Sequence, residues 1–323
     1  MSARSTFLSR HKFALIIRVF STDPAGVEQQ RQATRDLVDR ALALTYNGQP
    51  VISTITIAIP SSPAFANYDC GLTVKVLLQE FDGWRDRDRP VFVRAHRLGD
   101  QFVDVFNGEL NHLARKGFHY LLSISPSVRD YVNDTEMAKV IQACHRGAKF
   151  GGLILPQVEG VACGFLGNMW SFLHIDEAAQ AGGYHHCARD IPMDQLTFTS
   201  VRHPDNKELA IPRKGVEETP LIAEMIRRRK DSSGALPREF LAPILPEAWE
   251  QWQLPDKIDG YVAYHQLKVR SKWLRQKSYL TERGLTFNDV RRSVMPGYRL
   301  EDYASDGRYE HLVSAIQATG YPL

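Results

Sequence analysis

The sequence predicts an α/β protein with a doubly wound, mostly parallel sheet and helices on both faces, and three observations lead there. Apolar, β-branched runs of strand length recur through the first half. Amphipathic stretches of helix length separate them, and turn residues mark the junctions. With 323 residues, 43% hydrophobic and 24% charged, the composition is that of a globular chain able to form a substantial core.

The first strand is FALIIRVF (13–20) and the second VISTITIAIP (51–60), both of the kind buried on two faces of a parallel sheet. Between them Val27, Ala33, Leu37, Val38, Ala41 and Leu42 recur at helical spacing, and Asn47-Gly48 is expected to end that helix. VFVRAH (91–96) is the third strand, followed by a helix carrying Phe102, Val105, Phe106, Leu110 and Leu113. HYLLSIS (119–125) is the fourth. A helix then opens with Asn133 and Glu136 at capping-box spacing, closes at Gly147 and leads into FGGLIL (150–155). Five strands alternating with helices imply βαβ units.

Beyond about residue 156 the alternation stops. In GVEETPLIAEMIRRRK, Thr219 is placed to cap a helix that starts at Pro220, with Leu221, Ile222, Met225 and Ile226 as its buried stripe. Glu217 and Glu218 then stand just ahead of that helix. The expected organisation is one α/β domain over 1–250 and a basic, mainly helical extension over 251–323.

Forty basic and thirty-seven acidic side chains leave a formal +3, too small a surplus for whole-protein attraction to nucleic acid or membrane. Any anion site must be local. The four cysteines (Cys70, Cys144, Cys163, Cys187) form no CxxC pair, and neither a signal peptide nor a membrane-spanning run is evident, so a cytoplasmic location is expected. His185-His186-Cys187 with Asp190 has poor spacing for a transition-metal site.

Open α/β sheets bind ligands at the carboxyl ends of their strands. Ser21, Thr22 and Asp23 follow the first strand and Asp69 the second, so all four stand at such strand ends. Turn chemistry alone also explains these residue types. The first strand lacks a GxGxxG and the chain lacks a GxxxxGK[ST], which argues against a dinucleotide dehydrogenase and a P-loop nucleotidase.

GNMWSFLHIDEAAQAGGY (167–184) and GVEETP (215–220), placed after a nucleotide-type βαβ half, resemble the acceptor segment and the acidic pair of inverting GT-A glycosyltransferases of the family 2 type. The likeness is one of order and covers roughly residues 13–246. It implies a GT-A-like fold and transfer of a sugar from a nucleotide diphosphate donor to an acceptor that the sequence does not identify. Glu218 would be the general base with Glu217 beside it, Ser21, Thr22, Asp23 and Asp69 would contact the base or ribose, and Asn168, Trp170, Gly182 and Gly183 would serve the acceptor.

The family's aspartate-rich motif holds Mg or Mn at the end of the fourth strand, where this chain has Ser123-Ile124-Ser125. Serine hydroxyls alone do not hold a hard divalent ion. Either transfer proceeds without metal, with Arg129, Arg270, His265, Lys268 and Lys272 as candidate cations for the leaving group, or the chain is a nucleotide- or glycan-binding or scaffolding protein. A nucleotidyltransferase is disfavoured because FSTDPAG lacks a Gly- and Arg-rich loop.

Overall fold

The computed structural model describes residues 5–19, 24–61, 70–97, 103–153, 170–184, 198–202, 208–212, 218–229, 240–244 and 279–285. Seven strands form the main sheet: β1 (Phe13–Arg18), β4 (Ile52–Ser61), β5 (Val91–Arg97), β6 (Tyr120–Ile124), β7 (Phe150–Leu153), β8 (Trp170–His174) and β11 (Leu241–Ile244), in the order β11-β7-β8-β6-β1-β4-β5. All neighbours are parallel except β8, which is antiparallel to both β6 and β7. The mostly parallel α/β sheet expected from the strand and helix pattern is therefore present.

Helices α1 (Ser5–Arg10), α2 (Pro24–Ala43), α3 (Cys70–Glu80), α4 (Val103–Arg115), α5 (Asp134–His145) and α6 (Ile175–Gln180) accompany this sheet. Phe13 through Ile17 are each at most 1% exposed, so β1 is covered on both faces. Alternation along a strand sends Phe13 and Arg18 to opposite sides. Phe7 of α1 lies near Phe13, Tyr120 and His145, which marks one face. Phe106 and Glu109 of α4 reach Arg18 and Arg94 on the other. Each fully buried aliphatic or aromatic side chain contributes about 1.5–3 kcal/mol, so β1 and β6 form the energetic centre.

Local signals account for most boundaries. The backbone N–H of Glu136 donates to Asn133 Oδ1 at 3.0 Å, the expected cap, while the Glu136 carboxylate meets Lys139 Nζ at 3.1 Å. Asn47-Gly48 corrects an expectation. Helix α2 stops at Ala43, and these two residues, with φ of 52° and 74°, turn a short hairpin between β2 (Thr45–Tyr46) and β3 (Gln49–Pro50). Both central positions of such a turn need positive φ, the reason for the Asn-Gly pair.

A second correction concerns residues 170–174. The Gly- and aromatic-rich segment likened to an acceptor segment, to which the sequence pattern assigns no strand, supplies strand β8, and Ile175–Gln180 are helical. Its neighbour β7 carries Gly151 and Gly152 at the point of closest approach. A Cβ on Gly151 would run into the Phe172 ring and the Ala242 carbonyl, and one on Gly152 into the Trp170 carbonyl. Helix α3 was not anticipated.

The chain divides into two compact units. The first comprises Met1–Leu153, Asn168–Tyr184 and Arg238–Ile244 and contains the whole seven-stranded sheet; the second comprises Ile154–Gly167, His185–Pro237 and Leu245–Leu323. Described elements of the second are the antiparallel hairpin β9 (Phe198–Arg202) and β10 (Glu208–Pro212), helix α7 (Glu218–Arg229) and the segment 279–285. Leu221, Ile222, Met225 and Ile226 are buried as the helical stripe requires. Among the described residues, no helix is long and apolar enough to cross a membrane.

Candidate functional site

From β1 the chain winds outward through β4 to β5, then returns to lay β6 on the other side of β1. The direction of winding reverses between β1 and β6. The carboxyl ends of strands at such a reversal are the usual ligand position in an open α/β sheet; here α2, which follows β1, is joined to the turn that follows β6 by Arg129–Asp36 and Arg40–Asp130.

Arg18 ends β1 at this edge, and Ile124 ends β6. Ser123 pairs laterally with Ile16 and Ser171, and Ile124 with Trp170. Register thus puts Ser123 and Ser171 on one face at this edge and Ile124 and Trp170 on the other. Ser123 is 3% exposed and Trp170 1%. The Ser125 hydroxyl serves its own turn: it accepts from the Ser127 N–H at 3.4 Å and lies 2.9 Å from Ser127 Oγ, capping the 3-10 helix Pro126–Tyr131.

The donor set at this strand end does not fit a divalent cation. Mg and Mn require hard, preferably charged oxygen ligands, and Ser123-Ile124-Ser125 supplies no carboxylate. Asp130, the first acid downstream, lies 3.2 Å from Arg40 and is largely exposed. Among the described residues no group of three His, Cys, Asp or Glu side chains is placed to hold a metal. Arg129 is also committed locally: its guanidinium donates to the Pro126 carbonyl at 3.2 Å and lies 3.6 Å from Asp36 of α2.

Gly182 and Gly183 occupy the turn after α6, with φ of 87° and 72°. Asn107 of α4 clasps the next residue, with its Nδ2 donating to the Tyr184 carbonyl at 2.7 Å and its Oδ1 accepting the Tyr184 N–H at 2.8 Å. The Tyr184 ring stacks on Phe106 at 4.7 Å, and Phe106 underlies the Arg18 guanidinium at 4.8 Å. These contacts tie the Gly-Gly-Tyr turn to α4.

Glu218 is the first residue of α7 rather than lying ahead of it. Ser21, Thr22, Asp23, Asp69, Asn168, Glu217, His265, Lys268, Lys272 and Arg270 lie outside the described residues, as do the histidine-cysteine stretch 185–187 and most of the extension 251–323.

Two clusters were missed from the sequence. Arg94 on β5 holds the carboxylate of Glu109, 1% exposed, at 2.9 and 3.0 Å, and contacts His112 Nε2 at 3.1 Å. A signal existed, because Glu109 falls on the apolar stripe of its helix beside Phe106, Leu110 and Leu113. At the amino edge of the sheet, His11 and His119 rings lie 5.2 Å apart, and His174 meets Tyr120 edge-on at 5.0 Å. Burial, reinforced by Lys149, lowers the His174 pKa to about 4. Burial also raises the Cys144 thiol, which makes it an unreactive core residue.

No protein-family profile matches the chain, and no curated protein matches it in sequence. Among solved structures, it is similar to a cytidylyltransferase from Leptospira borgpetersenii serovar Hardjo-bovis, at 10% identity and a TM-score of 0.32 over 54% of this chain, and it spans 63% of the length of that protein.

Proposed function

We propose that the protein is an inverting, metal-independent glycosyltransferase that takes a sugar from a nucleotide diphosphate donor, with the donor seated at the carboxyl edge between β1 and β6. One observation carries the reading: the winding reverses at the strand end that finishes in Ser123-Ile124-Ser125, so the expected ligand position is one that has no metal-binding acid.

Ser21, Thr22, Asp23 and Asp69 are assigned to the base and ribose, and Ser123 and Ser125 to the diphosphate side. Glu218, oriented by Glu217, removes the proton from an acceptor hydroxyl as its oxygen attacks the anomeric carbon and the bond to the diphosphate oxygen breaks. The departing charge falls to His265, Lys268 and Lys272. Asn168, Trp170, Gly182 and Gly183 are assigned to the acceptor side.

A second reading is that the chain binds a nucleotide or glycan without catalysis. It is favoured by Ser125, whose hydroxyl caps its own turn.

The deciding measurement is calorimetric or thermal-shift binding of nucleoside diphosphates and their sugar conjugates in EDTA, then with Mg or Mn. Stabilisation by one nucleotide, unchanged by metal, is expected. Silence from the whole panel sinks the donor site; strong dependence on metal sinks metal independence.

A further inference from the structure

Four segments bring imidazole and ammonium groups together where β1, β6 and β7 begin and β8 ends. Backbone hydrogen bonds set the meeting. The Lys12 N–H lies 3.3 Å from His119 Nδ1, the His119 N–H donates to the Lys12 carbonyl at 3.1 Å, and the His174 N–H donates to the Lys149 carbonyl at 2.7 Å. His11 completes the group, its ring 5.2 Å from that of His119 and 6.0 Å from that of Tyr120.

His11 also closes α1. Its backbone N–H donates to the Phe7 carbonyl at 2.9 Å, its Nδ1 lies 3.0 Å from the same oxygen, and its ring stacks on Phe7 at 4.2 Å. Phe7, 9% exposed, is the side chain by which α1 covers Phe13 and Tyr120, with His145 of α5 at 5.3 Å. One imidazole thus joins the charged strand ends to a six-residue helix, which is too short to persist without packing.

A proton on His11 is opposed by burial, favoured by the Phe7 carbonyl and opposed again by His119, Lys149 and Arg10, with a net lowering of its pKa below 6.5. His174 joins the same group through Lys149 and His119, while Asp176 and Glu177 offset the charge there. Detachment of α1 carries Arg10 and His11 away from Lys149 and returns the ring to water. The detached state therefore binds the proton more tightly, so the closed state is fully favoured above about pH 6.5 and loses ground as pH falls below it.

We propose that His11 is an acid-released latch: protonation of its ring frees α1 and uncovers the aromatic face of Phe13 and Tyr120 while the strands stay paired.

Hydrogen exchange of the whole chain, followed by NMR at pH 7.5 and 5 and corrected for the intrinsic rate at each pH, tests the latch. The His11 amide, bonded to Phe7, is the reporter, and the Ile16 amide in the middle of β1 is the control. Protection of His11 should fall about 3- to 30-fold more than that of Ile16, the upper figure being the limit for uptake of one proton over this range. Equal falls mean that the sheet opens together with α1, and an unchanged or absent protection at His11 means that there is no latch; each overturns the proposal. His11→Gln should abolish the extra fall, and a wild-type pH response in that variant also overturns it. Should the variant misfold, titration of the His11 ring resonances in wild type decides: a midpoint below 6.5 supports the latch, and one at or above 6.5 refutes it.

Discussion

At the scale of single residues, burial of titratable groups sets the clearest expectations. His174 is held near pKa 4 by burial, with Lys149 and His119 opposing protonation and Asp176 and Glu177 favouring it. Its folded pKa lies below the ordinary value of 6.5, so as pH falls the unfolded chain takes up the proton first. The neutral ring's contribution is therefore intact above about pH 6.5 and is lost progressively between 6.5 and 4. Urea titrations at pH 7.5 and 5 should show wild type losing about 1–2 kcal/mol more than His174→Asn, after allowance for partial exposure of the ring. An identical pH response would remove the assignment. Glu109 gives a larger effect, because Glu109→Gln leaves Arg94 facing a neutral amide. A loss of about 2–4 kcal/mol is expected in chemical denaturation at pH 7. Such residues were only partly legible in sequence: Glu109 interrupts an apolar stripe, whereas the proximity of His11, His119 and His174 depends on three segments meeting in the fold.

Elements were easier to read than their roles. Strands 13–18, 52–61, 91–97, 120–124 and 150–153 all lie where β-branched runs predict them, because a strand buried on both faces leaves a continuous apolar signature. The segment 170–174 misled because WSFLH has no helical or alternating pattern of its own; its antiparallel place between β6 and β7 is a tertiary fact. The Gly-Gly-Tyr turn shows what sequence likeness leaves open. Its glycines have different demands: a Cβ on Gly182 meets open space, whereas one on Gly183 collides with Asn107 Oδ1. Positive φ alone makes Gly182→Ala cost about 1 kcal/mol. Gly183→Ala adds the disruption of the Asn107 clasp and should cost about 2–3 kcal/mol. Thermal melts of the two variants, with Asn107→Ala as a third, will order them; equal losses at 182 and 183 would show that the clasp contributes nothing.

For the whole molecule, the chain crosses between its two units and returns to lay β11 on β7, a route that local sequence patterns do not encode. Glu218 opens α7 in the second unit. A glutamate in the first turn of a helix has an ordinary use, since it favours the positive end of the dipole by about 0.3–1 kcal/mol. Stability alone therefore does not separate a base from a capping charge. Glu218→Gln does separate them, because glutamine keeps the size but has no basic carboxylate. If Glu218 is the base, turnover of a nucleotide-sugar on a responsive acceptor falls about 100- to 10,000-fold, donor affinity stays within about twofold, and the melting temperature moves only by the small dipole contribution. If the residue only caps α7, turnover stays at the wild-type level while the same slight loss of stability appears, and the catalytic assignment must move to another residue.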